Sequence, residues 1–173
     1  MDNAAAAGTS TTLRLWHRFE APRERVFAAW TRPEALKLWW CPAGWRPVQI
    51  DVDLRPGCTY RLAMKRDNGD EPVSIHGRFL EVIPPEKLVY TWRWDGIFPD
   101  MPETIVTVEF RSVRGGTELA LRQGTLELPM CGRHLSAWLL AWVRLSRVVN
   151  KRSASDWHGV SRSTESCPAP EPV

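Results

Sequence analysis

Few side chains in this sequence have types and spacings that could do chemistry near neutral pH. Cys41, Cys58, Cys131 and Cys167 lie far apart, with no C-x-x-C spacing and no neighbouring histidine. They read as small thiols in a reducing compartment, and no metal or cofactor is expected. Asp51 and Asp53 stand two apart in an alternating run, VQIDVDL, so both point to its polar side and read as solvated surface. His76 shares a side with Ser74 and Arg78 and reads as exposed; His134, at the start of the last helical stretch, reads as near solvent. His17 alternates with Leu13, Leu15 and Phe19, where a histidine is more often a hydrogen-bonded core group than a base. The chain has no G-x-S-x-G, H-E-x-x-H, phosphate-cradling or dinucleotide glycine pattern. His17, Tyr60 and Tyr90 are then the only inward groups able to steer a proton, and no residue is assigned a catalytic role.

The residue in excess is tryptophan, ten against two tyrosines. Three fall in LKLWWCPAGW, residues 36 to 45, around a Cys-Pro-Ala-Gly turn. Neighbours on a helix lie about 100° apart, so Trp39 and Trp40 face different ways. One should pack beside Trp30, and the other should join Trp45 at the mouth of a cavity. The loop DGIFPDMPE, carrying Ile97, Phe98 and Met101, offers a lid opposite. Trp40, Trp45 and Phe98 are thus the expected rim.

Those rings need elements to position them. Alternation marks about seven strands, beginning with TLRLWHRF and ending with TELALRQG, joined by Pro-Gly, Asn-Gly and Gly-Gly signals. After the first strand come two short helices, PRERVFAAW and EALKLWW; Pro22 suits the first turn, and Thr31 is placed to cap the second. In RHLSAWLLAWVRLSRVV the positions Leu135, Trp138, Leu139, Trp142, Leu145 and Val149 recur at three- and four-residue steps, with Arg144 and Arg147 behind. Only a sheet face is large enough to cover that stripe. The expected fold is α+β: a curved antiparallel sheet of six to seven strands gripping a long C-terminal helix, with two short helices after strand one.

One domain is expected over residues 12–150. Residues 1–11 and the Ser- and Pro-rich 151–173 read as disordered, with Trp157 the one sizeable apolar group in that tail. The formal charge of +3 is scattered rather than striped, so no nucleic acid is expected. The longest apolar segment, AWLLAWV, falls far short of the ~20 residues of a membrane span, so no membrane is expected. The start MDNAAAAGTSTT lacks the basic and apolar regions of a secretory signal, so the expected location is cytoplasmic.

In this order, FEAPRERVFAAWTRPEALKLWWCPAGW, DLRPG, GRFLEVIPPEKLVYTW, VTVEF, GGTELALRQ and AWLLAWVRL resemble the START-like (SRPBCC) helix-grip proteins. More narrowly, they resemble bacterial relatives of the C-terminal domain of the activator of Hsp90 ATPase, from about residue 13 to 149. Departures are Cys41 where the family has Gly, Ala137 where it opens the final helix with Gly-Trp, and Leu140 and Val143 on an outer face that is more polar in the family. The residues themselves put Tyr60, Leu62, Met64, Ile75, Phe79, Tyr90, Trp92 and Trp94 opposite Leu135, Trp138, Leu139 and Trp142. For Leu62, Ile75 and Leu139 plain core packing suffices. Tyr60, Met64, Phe79, Tyr90, Trp92, Trp94, Leu135, Trp138 and Trp142 are expected to line a cavity for an apolar, aromatic or lipid-like small molecule. The alternatives are a polyketide-cyclase-like enzyme, an Hsp90 co-chaperone-like module, and a homodimer through Leu140 and Val143 on the back of the helix.

Overall fold

The computed structural model describes residues 10–69, 71–96, 98 and 101–150. Its elements run β1 (Ser10–Phe19), α1 (Arg23–Thr31), α2 (Pro33–Trp39), β2 (Trp45–Val52), β3 (Thr59–Arg66), β4 (Val73–Ile83), β5 (Lys87–Asp95), β6 (Thr104–Val113), β7 (Gly116–Glu127) and α3 (Leu128–Asn150). The seven strands form one open antiparallel sheet in the order β1-β7-β6-β5-β4-β3-β2. Consecutive hairpins build β2 to β7, and β1 closes onto the last of them, so α1 and α2 must span the sheet from one edge to the other. Ile97, which belonged to the expected lid, and Trp157 lie outside the described residues.

The core lies between the sheet's inner face and the helices. Val26, Phe27 and Trp30 of α1 are buried, and the rings of Phe27 and Trp30 lie 5.3 Å and 6.0 Å from that of Phe110 on β6. From α3 come Trp138, Ala141, Trp142, Leu145 and Val149, all buried. Alternation holds on β6 and β7, where Val106, Val108, Phe110, Leu119 and Leu121 are buried.

Several local expectations are corrected. Thr31 does not cap α2: its hydroxyl donates to the Phe27 carbonyl at 2.9 Å, and Arg32 occupies the cap position without a side-chain bond. Being the last residue of α1, Thr31 finds a carbonyl one turn back before it can reach the next helix. Arg144 is not on a free back face; its Nε donates to the Trp39 carbonyl at 3.0 Å and ties α3 to α2. Leu139 is 48% exposed rather than core. The buried positions of α3 centre on Trp138 and Leu145, and Leu139 sits about 100° round the helix from Trp138. Cys41 and Cys131 are free thiols, whereas Cys58 is disulfide-bonded, against the expectation of a reduced thiol.

Gly77 is required by a close approach. Tyr60 of β3 lies across it and donates its hydroxyl to the Thr91 carbonyl of β5 at 2.7 Å. A Cβ on residue 77 would stand 1.9 Å from that same carbonyl oxygen. Gly77→Ala is therefore expected to lower unfolding free energy by about 3 kcal/mol or more, through forced separation of β4 and β5. Urea denaturation checks this, and a loss below 1 kcal/mol would show that the strands part freely.

Candidate functional site

The inner face of the sheet and α3 do not close completely. Among the described residues, two apolar hollows lie side by side there. One, of about 40 Å³, is lined by residues including Leu36, Tyr60, Phe79, Leu88 and Tyr90. The other, of about 60 Å³, is lined by residues including Met64, Ile75, Trp94, His134 and Ala141. Trp40, Trp92 and Trp138 line both, so three indoles form the partition between them. Each hollow has room for a few waters, at roughly 10–15 Å³ apiece.

The partition is braced by ring contacts. Trp138 stacks on Trp30 at 5.6 Å and 12°, and its ring lies 5.4 Å from Trp92. Trp39 is the member of the pair that packs into the core, 5.0 Å from Trp30, with its indole donating to the Ala29 carbonyl at 2.8 Å. Trp40 is buried as well, so it divides the hollows instead of rimming one. Trp45 is half-buried under the Arg66 guanidinium, 5.1 Å away, and lines neither hollow. Phe98 sits edge-on to Trp94 at 5.7 Å with Arg133 6.0 Å above it, and it also lines neither. Of the nine expected cavity residues, seven meet at the hollows. Leu135 and Trp142 do not: Trp142 packs on Phe19 and His17 at the β1 side.

Behind the partition lies a polar network that the sequence reading missed. Gln123 of β7 is fully buried. Its Oε1 stands 3.1 Å from Trp138 Nε1 and 3.0 Å from His134 Nδ1, and its amide nitrogen donates to Thr104 Oγ1 at 3.0 Å. Trp94 donates its indole proton to His134 Nε2 at 3.3 Å. Indole is only ever a donor, so Nε2 accepts and Nδ1 carries the proton given to Gln123. His134 is thus a neutral imidazole, and burial pushes its pKa down to about 4. The expectation of a solvent-facing His134 is corrected: it lies four residues before Trp138, on the buried stripe of α3. Gln123, at the inward step after Leu119 and Leu121, was equally readable as a polar group in an apolar row.

The remaining titratable groups sort by burial. Tyr60 and Tyr90 face each other at 5.4 Å, and burial raises both pKa values far above the ordinary phenol, although the Trp30 indole bonded to the Tyr90 oxygen partly opposes this. They stay protonated at neutral pH and act there as donors, not bases. His17 is exposed at the sheet edge, with Nε2 3.4 Å from Ser146 Oγ, and lines neither hollow. Its place in an apolar row is real, but among the described residues no strand lies beyond β1 to cover it. Cys41 is buried and pushed up to about 11 by desolvation, partly countered by Arg144. His76 is only half-exposed, 3.0 Å from Asp95, which also takes Arg61 and Ser74. Asp53 is held below the usual carboxylate range by the Arg55 guanidinium, while Asp51 is exposed. Among the described residues, no group of three His, Cys, Asp or Glu could hold a metal, and no helix is long and apolar enough to cross a membrane.

A family model described as Activator of Hsp90 ATPase homolog 1-like protein matches residues 20–142, from the end of β1 to the middle of α3. The chain belongs to this family. Among solved structures, a Chromobacterium violaceum protein is 27% identical with a TM-score of 0.73, over 80% of this chain and 96% of that one. The AHSA1 protein of Silicibacter pomeroyi is 25% identical with a TM-score of 0.70, over 79% and 96%. An AHSA1-like protein of Aeromonas hydrophila is 22% identical with a TM-score of 0.71, over 86% and 100%, and shares the fold. No curated protein matches the chain. The helix-grip resemblance drawn from the motifs is thereby confirmed, and the AHSA1-like family is the frame for the site.

The network makes two predictions. His134 is neutral when folded down to about pH 4, but near 6.5 it begins to take up a proton when unfolded. Its contribution to stability is therefore complete above pH 6.5 and is lost as pH falls from 6.5 to about 4. The loss should reach roughly 3 kcal/mol. His134→Gln should flatten that segment of a stability-against-pH curve from urea melts. Gln123→Leu leaves the buried donors of Trp138 and His134 unpaired and should cost about 2–4 kcal/mol in the same assay at pH 7.

Proposed function

We propose that this AHSA1-like protein is a non-enzymatic binding module for a compact, flat, apolar molecule held between the sheet and α3. One observation carries the reading. Trp92, whose side chain lines both hollows, is buried and has an indole N–H with no hydrogen-bond partner. An unpaired buried donor costs about 1–3 kcal/mol, so its place beside two hollows is explained by a guest that supplies the acceptor. Tyr90 offers a second polar tip, since the proton of its hydroxyl is not used in accepting from Trp30. Each hollow alone is smaller than the roughly 150 Å³ cavity that takes a benzene ring, so a flat guest requires Trp40, which lines both hollows, to swing aside and join them. The proposed setting is the cytoplasm.

The polyketide-cyclase-like alternative needs a base at the guest. Tyr60 and Tyr90 are kept protonated by burial, and His17 stands apart at the sheet edge. The co-chaperone alternative rests on the family's name alone. A homodimer through the back of α3 has one supporting fact, the 60% and 54% exposure of Leu140 and Val143.

Thermal melts with quinoline, which carries one ring acceptor, and naphthalene, which carries none, test the proposal. Both should raise the melting temperature. Quinoline should bind the wild type more tightly than Trp92→Phe by about fivefold, the worth of one hydrogen bond, while naphthalene binding is unchanged. No shift with either compound, together with nothing retained in an organic extract of the purified protein, would overturn it.

A further inference from the structure

The two edges of the sheet are finished differently. The β2 edge carries Pro47, with a break in register between Pro47 and Gln49, and α2 packs beside it. Proline cannot donate to a further strand, so that edge is blunted. The β1 edge has no proline over its ten residues and, among the described residues, no strand beyond it. Unpaired edges of this length are templates for strand addition.

The side chains of β1 say what would add. Trp16 is 76% exposed on the outer face, an unusual position for the largest side chain, and no ring or cation stacks on it within the described chain. Arg14, two residues away on the same face, is exposed and makes no hydrogen bond or ion pair among the described residues. Its cross-strand neighbour on β7 is another cation, Arg122, so β7 offers it no relief. An antiparallel second copy of β1, related by a two-fold axis at Leu15, would put Arg14 opposite Trp16 twice, once on each side of the axis. Directly opposed residues stand about 5 Å apart, within reach of a cation over an indole face. On the inner face the same register sets Leu15 against Leu15 and Leu13 against His17.

The helix extends this edge. Ser146, the α3 residue that touches His17, shares its flank with Leu139 and Val143, seven and three residues before it. Both are exposed. The flank of α3 beside β1 is therefore apolar, and the two-fold brings it toward its own copy.

We propose that the β1 edge is a homodimer interface in which two copies join their sheets by antiparallel β1–β1 pairing centred on Leu15, locked by reciprocal Arg14–Trp16 contacts. The surface is independent of the hollows, so ligand binding and dimerisation succeed or fail separately. It shares Val143 with the helix back, whereas Leu140 lies on that back alone, about 100° round the helix from Leu139.

Sedimentation of the full chain over a concentration series tests it. The wild type should move from 19.8 kDa to twice that mass. Trp16→Arg, which sets Arg against Arg, should weaken the dimer at least tenfold. Adding Arg14→Trp to it exchanges the two partners and should restore the dimer. Leu140→Glu, on the helix back, should leave it intact. Circular dichroism shows that each variant is folded, which the exposure of both side chains favours. Slow hydrogen exchange at β1 amides should be lost on dilution. A wild type of single-chain mass at the highest concentration, a Trp16→Arg dimer of unchanged strength, a folded double variant that stays monomeric, or dissociation by Leu140→Glu alone would each overturn the proposal.

Discussion

One buried amide holds the two halves of this protein in register. Gln123 reaches inward from β7 and takes protons from two residues of α3, His134 and Trp138, while giving one to Thr104 of β6. Apolar packing alone would let an amphipathic helix slide or turn on a curved sheet, because the hydrophobic effect has no direction. Hydrogen bonds in a water-free interior do have direction, and their loss is expensive. Through Gln123 the helix is fixed in rotation, and the partition indole Trp138 with it. The ring stack from Trp30 through Trp138 to Trp92 then follows.

That arrangement explains why so many tryptophans leave so little space. Trp39 and Trp138 each spend their N–H on a carbonyl or amide oxygen, and Trp94 spends its own on His134. Satisfied rings of this kind pack as architecture. Trp92 is the exception at the hollows, and the proposed binding role turns on it. The orphan N–H of Trp142 lies elsewhere, in the cluster with Phe19 and His17.

The outer surfaces follow another logic. On the β3–β5 side, charges are matched locally: Asp95 gathers Arg61, Ser74 and His76. On the β1 side, Arg14 and Trp16 stand without partners among the described residues. A fold that settles its charges on one side and leaves a cation and an indole adjacent on the other is asymmetric, and the proposed β1 pairing would bring those two groups together.

Read alone, the sequence already determined the strand count, the three helices, the inward rows and the family, because each depends on local period: two for strands, 3.6 for helices. Period says which side of an element a residue occupies. It does not say how deep that side lies. Leu139 and His134 were misjudged because the burial of α3 depends on where the sheet meets it. His17 is on the inner face yet exposed, since β1 ends the sheet. Trp40 divides the hollows and Trp45 leaves them, a choice made by the turn at Pro42 and by Arg66. Depth, rotation and the division of space are properties of elements packed together, and only the tertiary structure decided them.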